Sequence, residues 1–228
     1  MTFSIAGTDG RGRFGIAVSS SSPAVAARCA HLRDGVGAVS SQNITDPRLG
    51  GALLDLLEEG LGAQEALDRV VTREGTASFR QLVVLDRRGG SAVFSGAGTL
   101  GTHGGASAGG EDAGACVSAG NMLAHDGVPK AVCEAFERTG GELETRLVAG
   151  LRAGLDAGGE AGPVRSAGVS VVSGHGWRDT DLRVDWHEDP VAELERLLQV
   201  WLPQREDYVV RALDPAASAG YGVPGDDR

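Results

Sequence analysis

The sequence predicts an α+β fold in which two antiparallel sheets are covered by helices. Three observations carry that expectation. Strand-like segments come in neighbouring pairs joined by short Asp/Gly-rich turns, helix-like segments also come in pairs, and strand and helix do not alternate strictly as in a doubly wound sheet. The 228 residues suffice for one sizeable domain. With 36 glycines and only 4% aromatic residues, the core must be built from small side chains and close backbone approaches.

The first pair of strands is residues 2–8 (TFSIAGT) and 13–19 (RFGIAVS), either side of Asp9-Gly10-Arg11-Gly12, so a strand begins almost at residue 2. Ser22–His31 (SPAVAARCAH) reads as a short helix, with Ser22 as N-cap and Pro23 at the first helical position. Residues 35–42 (GVGAVSSQ) form the third strand. Asp46-Pro47 opens a helix whose Leu49, Leu53, Leu54, Leu56 and Leu57 follow helical spacing and which Gly60 ends. A partner helix over 63–72 carries Ala66, Leu67, Val70 and Val71.

Phe79–Leu85 and Ser91–Phe94 flank Asp86-Arg87-Arg88-Gly89-Gly90 as a second hairpin, and Ala115–Ser118 is a further strand. Between them, residues 96–114 hold eight glycines and read as an irregular loop. Helices are expected over 128–138 and 141–157, strands over 166–173 and 180–187, and a last helix over 190–201 that Pro203 stops. On this reading the domain spans 1–202, and 203–228 is an extended C-terminal tail.

Charge and composition exclude several functions. The 31 acidic residues against 21 basic ones give a formal charge of −10, and no basic cluster could lie along phosphates, so no nucleic-acid partner is expected. No apolar run approaches the roughly 18 residues of a membrane span, and no basic-plus-apolar leader opens the chain, so a cytoplasmic protein without a membrane partner is expected. Cys29, Cys116 and Cys133 are odd in number and scattered, as free thiols are. Cys29 and His31 stand two apart, but His103, His125, His175 and His187 add no zinc-ligand spacing, so neither metal nor organic cofactor is expected. The glycines of 101–114 lack the phosphate-loop pattern, and no G-x-S-x-G elbow supports a serine triad with His187 and Asp185 or Asp189.

What remains is the start of the chain. Met1 precedes Thr2, a residue small enough for an initiator methionine to be trimmed, and a terminal threonine carries its own base. Its α-amine, with an unperturbed pKa of about 8, lies beside the hydroxyl it must deprotonate, directly or through a water. A strand start flanked by a returning strand holds such a nucleophile rigidly. Threonine is also a common strand residue, and that plainer reading stands beside the catalytic one.

Six segments taken in order resemble a bacterial family, the domain of unknown function 1028: MTFSIAGTD, FGIAVSSSS, DGVGAVSSQNITDP with GGALLDLLEEGLGAQEAL, RQLVVLDRRGGSAVFSG, SAGNML and DLRVDWHEDPVAELERLL. The resemblance spans about residues 2–202. That family is grouped with the N-terminal nucleophile (Ntn) hydrolases, which implies a four-layer αββα sandwich and amide-bond hydrolysis, with no substrate to carry over. Two positions depart from the family pattern. Val164-Arg165-Ser166-Ala167 stands where G-R-Q-S-A is common, and Asp46 where Asn is usual. Proteasome-type Ntn enzymes also place a lysine on the third strand, whereas residues 35–42 hold no basic residue and Lys130 is the chain's only lysine.

In such a sandwich Ser20 and Gln42, each near the end of a strand, are expected to approach Thr2 and orient its amine or hydroxyl. Asn121, beside Gly120, is placed to donate an amide N–H to a tetrahedral oxyanion. Asn43, Asp46 and Arg48 form a polar cluster suited to lining a substrate pocket, although Asp46 also suits a helix start. Asp181, Arg183, Asp185 and His187 alternate and read first as a solvated charge ladder. The expectation is therefore a hydrolase of a small amide, lactam or ureido compound acting through an acyl-enzyme on Thr2, assembled as a homodimer or larger homo-oligomer. The alternatives are an Ntn-like protein that binds a small molecule without turnover, which the missing lysine favours, or a structural subunit.

Overall fold

A computed structural model describes residues 1–110 and 114–225 of the chain. They form two antiparallel sheets and six α-helices. The larger sheet contains β1 (Thr2–Thr8), β2 (Phe14–Ser20), β7 (Gly104–Gly110), β8 (Gly114–Asn121), β9 (Ser166–Val172) and β10 (Arg178–Val184), in the order β10-β9-β2-β1-β8-β7. The smaller contains β3 (Ala30–Arg33), β4 (Gly37–Asn43), β5 (Arg80–Asp86) and β6 (Ser91–Ser95), in sequence order. The helices are α1 (Ala26–Cys29), α2 (Arg48–Glu58), α3 (Ala63–Arg73), α4 (Val128–Arg138), α5 (Leu143–Asp156) and α6 (Pro190–Leu213).

Strand alternation explains the packing. In β1, Phe3 and Ile5 point away from the smaller sheet and join Val132 and Phe136 of α4, Leu147 and Leu151 of α5 and Leu194 of α6. Ala6 points the other way, and with Val117 and Ala119 of β8 it meets Ala38 of β4 and Val83 and Leu85 of β5. The opposite faces of β4 and β5, through Val39, Leu82 and Val84, bury the leucines of α2 and α3. Small side chains between the sheets let β1 and β8 lie directly against β4 and β5.

Both predicted hairpins form, β1–β2 and β5–β6. Asp86 explains why α3 follows α2 so closely. Its carboxylate accepts from Ala63 N at the start of α3 while also closing the β5–β6 turn through Arg88 N and Gly90 N.

Three elements differ from the sequence expectation. The helix over Ser22–His31 shrinks to α1, and Ser22 is not its N-cap: Val25 precedes the helix without a side-chain cap. Ala24 sits at φ 51°, in the left-handed region, which prevents the helix from running back to Pro23. Its other end becomes β3, because Ala30–Arg33 pairs with β4.

Much of the glycine-rich 96–114 segment is strand rather than loop: Gly104–Gly110 is β7 on the sheet edge, and β8 begins at Gly114. Residues 111–113 of that segment lie outside the described residues. Close approach explains the composition, since a Cβ on Gly105 would stand 2.9 Å from Val93 Cγ1, and one on Gly109 (φ 84°) only 2.2 Å from Gly114 O.

Pro203 does not stop the last helix, which continues to Leu213. Proline removes the N–H that would bond Gln199 O, and the Gln204 side chain donates to the neighbouring Val200 O at 2.8 Å. Trp201 Nε1, bonded to Thr180 Oγ1, and Arg205, bonded to Glu142 and Glu144, pin the helix on both sides. Among the described residues no helix is long and apolar enough to cross a membrane.

Candidate functional site at the polar end of the inter-sheet layer

The inward-facing positions of five strands change character along their length. Towards one end of the layer they are Ala6, Phe14, Ala38, Leu85 and Ala115; towards the other they are Thr2, Ser4, Ser20, Ser40, Gln42, Gln81 and Asn121. All seven polar residues are buried. The sheets therefore enclose a polar compartment at the end where β1 begins.

Thr2 lies at its centre. It pairs with Asn121 on β8, and the β1–β2 register that sets Phe3 against Ser19 brings Ser20 beside Thr2 on the other flank. Oγ1 of Thr2 donates to Met1 O at 2.5 Å and lies 3.3 Å from Ser20 Oγ. Ser20 Oγ in turn donates to Met1 O at 2.5 Å and accepts from Ser22 N at 3.1 Å. Thr2 and Ser20 thus meet as expected. While Met1 is attached, the Thr2 nitrogen is an amide and cannot serve as a base.

Gln42 does not reach Thr2. Its Oε1 accepts from Ser4 at 2.7 Å and Ser40 at 2.9 Å, and its Nε2 donates to Gln81 Oε1 at 2.9 Å and Ala119 O at 3.1 Å. This uses every hydrogen-bonding position of the amide. Gln81 is saturated too: Oε1 accepts from Gln42 and, at 3.0 Å, from Asn121 Nδ2, while Nε2 donates to Ser95 Oγ and Gly120 O. The pair ties the two sheets together across the layer. Asn121 has one N–H on Gln81, and its buried Oδ1 has no partner. The hydrogen bonds of Gln81 fix this amide orientation, since turning Asn121 over would set oxygen against oxygen.

Asn43, Asp46 and Arg48 are bonded elsewhere. Asn43, at φ 71°, donates to Phe79 O at 2.7 Å and accepts from Leu100 N at 3.2 Å, which ties two loops to the end of β4. Asp46 accepts from Arg48 N at 3.0 Å and forms a bidentate pair with its guanidinium, a hydrogen-bonded partner that holds the carboxyl at about 2. Asp46 thus opens α2, and Arg48 is largely exposed. The charged residues around β10 pair locally, Asp181 with Arg178 and Arg183 with Asp185.

Sequence reasoning missed Ser4, Ser40, Gln81 and Glu160. A signal for the first three was present, since each is a polar residue in the inward phase of an otherwise apolar strand. Glu160 gave none, because it lies in the segment between α5 and β9. Its residue is only 5% exposed; Oε2 accepts from Ser21 N at 3.1 Å, and the buried Oε1 has no partner. Burial raises its pKa from 4.5 to about 7, against the opposing pull of the Met1 amino group and hydrogen bonds from Ser21.

Cavities of about 340 and 330 Å³ lie between α2 and α3 and beside the β6 and β7 edges, away from Thr2. The three cysteines are buried free thiols. Among the described residues no group of three His, Cys, Asp or Glu side chains is arranged to hold a metal ion.

A family model described as a family of unknown function (DUF1028) matches residues 2–194. Among solved structures, the crystal structure of protein SPO2555 from Silicibacter pomeroyi, itself assigned to DUF1028, is similar at a TM-score of 0.78 and 28% identity, over 87% of this chain and 88% of that one. No functionally curated protein matches.

Proposed function

The chain belongs to the DUF1028 family, and from that premise we propose that it is an N-terminal-threonine hydrolase of a small amide, lactam or ureido compound. The observation that carries this reading is the placement of Thr2 at the first position of a central strand, inside a buried polar compartment and flanked by Ser20 and Asn121. The packing of α4–α6 on the larger sheet and α2–α3 on the smaller supports an αββα sandwich of the Ntn type.

In this mechanism removal of Met1 frees the α-amine of Thr2. The amine takes the Oγ1 proton as Oγ1 attacks the substrate carbonyl, and the leaving nitrogen receives a proton as the C–N bond breaks. Water then hydrolyses the ester and restores Thr2. Ser20 orients the hydroxyl. Asn121 offers its second amide N–H to the oxyanion, and the Gln42–Gln81 pair keeps that amide in place. No metal or organic cofactor takes part, and the protein works in the cytoplasm as a homodimer or larger homo-oligomer.

The test is intact mass of the protein from its own host, followed by a screen of small amides, lactams and ureido acids against wild type and Thr2→Ala. Loss of Met1 and Thr2-dependent turnover support the reading; full retention of Met1 in active protein refutes it. One observation favours a binding protein without turnover: β4 carries no basic residue to depress the amine pKa. Ligands that raise the thermal midpoint and are never cleaved would select that alternative.

A further inference from the structure

We propose that the substrate of this site carries a free amino group on the acyl side of the scissile carbonyl, and that Glu160 receives it. The inference rests on the hydrolase reading above and names the substrate class that reading leaves open: α-aminoacyl amides.

Met1 occupies the site beside Thr2 and Ser20. Met1 is itself an α-aminoacyl group, and its carbonyl oxygen accepts from both Thr2 Oγ1 and Ser20 Oγ at 2.5 Å. Its amino group forms no hydrogen bond or ion pair with Glu160, whose Oε2 is taken by Ser21 N and whose Oε1 stays without a partner. Its thioether methyl lies over Gly162, where a Cβ would stand 3.3 Å from Met1 Cε. Carbonyl and side chain each have a counterpart in the protein, and the unpartnered Glu160 Oε1 is the group that an amine placed closer would meet. Departure of Met1 vacates the space that an acyl group must fill to bring its carbonyl to Thr2.

Glu160 is tied into this place by two contacts, and a third bond holds the segment that follows it. Ser21, which holds Oε2, directly follows Ser20. A β-bridge joins Glu160 to Leu123, two residues beyond Asn121, and Arg165 N donates to Ser20 O. A carboxylate oxygen left buried without a partner is costly unless a cation or donor meets it. An ammonium group on the substrate supplies both, whereas a neutral acyl group supplies neither. With an aminoacyl amide the chemistry balances with water alone: the Thr2 Oγ1–C bond forms, the C–N bond breaks, ammonia or an amine leaves with the proton, and hydrolysis releases the amino acid.

The probes are methioninamide and N-acetylmethioninamide, titrated calorimetrically at pH 7 into the full chain lacking Met1, with Thr2→Ala present to prevent consumption of ligand. Methioninamide is expected to bind at least about 10-fold more tightly, and adding Glu160→Gln should bring the two within about 2-fold. Glu160→Asp, which shortens the reach, should fall between, and circular dichroism identifies any variant that fails to fold. Equal binding of both probes, binding of neither, or a preference that survives Glu160→Gln overturns the proposal. Ammonia release by the threonine-bearing chain separates this inference from the hydrolase reading. An amine-dependent preference in binding without turnover refutes hydrolysis and leaves the amine site standing, whereas equal turnover of both probes refutes the amine site and leaves hydrolysis.

Discussion

Glu160→Gln should stabilise the chain that retains Met1 at pH 8 and leave its stability nearly unchanged at pH 4.5. The folded-state pKa of Glu160 is raised from 4.5 to about 7, so the native state holds this proton more tightly than the unfolded chain does. A raised pKa contributes stability that is fully present below about pH 4.5 and is lost as pH climbs through about 7. At about 1.36 kcal/mol per pH unit the gap of about 2.5 units corresponds to roughly 3 kcal/mol, an upper figure because the buried site relaxes on ionisation. Glutamine keeps the shape and the Ser21 hydrogen bond but never ionises, so the variant escapes the loss. For a chain of this length each kcal/mol moves the midpoint by about 2–4 °C. Calorimetric melts of both proteins at pH 4.5, 6 and 8 should show the variant gaining on wild type across the series, by at most roughly 6–12 °C. A difference that stays constant with pH, or that shifts in favour of wild type at pH 8, refutes the assignment of a buried, destabilising carboxylate.

Thr2→Ala should abolish turnover while moving the midpoint only slightly, and Thr2→Ser should retain part of the activity; wild-type rates in the alanine variant would place the nucleophile elsewhere. Asn121→Ala should lower kcat by about 10²–10³ with a smaller change in KM, and it should also cost about 1 kcal/mol because its bond to Gln81 is lost. An unchanged kcat would leave Asn121 a structural role alone. Glu144→Ala should destabilise by about 1.5–3 kcal/mol, since a fully buried carboxylate bonded to Arg13, Arg205 and Thr180 is removed while both arginines keep Glu142 as a partner. A denaturant midpoint within error of wild type would contradict this.

The alternation in TFSIAGT and FGIAVSS, and the leucine spacing of residues 49–57, made both hairpins and α2 legible, because those patterns are local. β7 was hidden because its glycines mark close contact with β6 and β8, and that contact exists only in the tertiary structure. Pro203 misled for the opposite reason: the local rule is sound, but the anchors at Trp201 and Arg205 offset it. At the site, the Thr2–Ser20 contact follows from hairpin register and was readable. The Gln42–Gln81 pair depends on how two sheets stack, and the position of Glu160 on how the α5–β9 segment crosses the start of β1. Neither is encoded in spacing along the chain.

Strand order also sets a timetable. β1 precedes the other described elements along the chain, yet it becomes central only when β8, from residue 114, pairs with it, and β2 is covered only when β9, at 166–172, arrives. Glu160 and Gly162 join the surroundings of Met1 at the same late stage. On the N-terminal-threonine reading, at about 5–20 residues per second, the Met1–Thr2 bond stays open to a trimming enzyme for roughly 10–30 s of synthesis before the compartment closes over it. The ribosome's pace against that of the trimming enzyme would then decide what fraction of molecules ever presents Thr2 as its first residue.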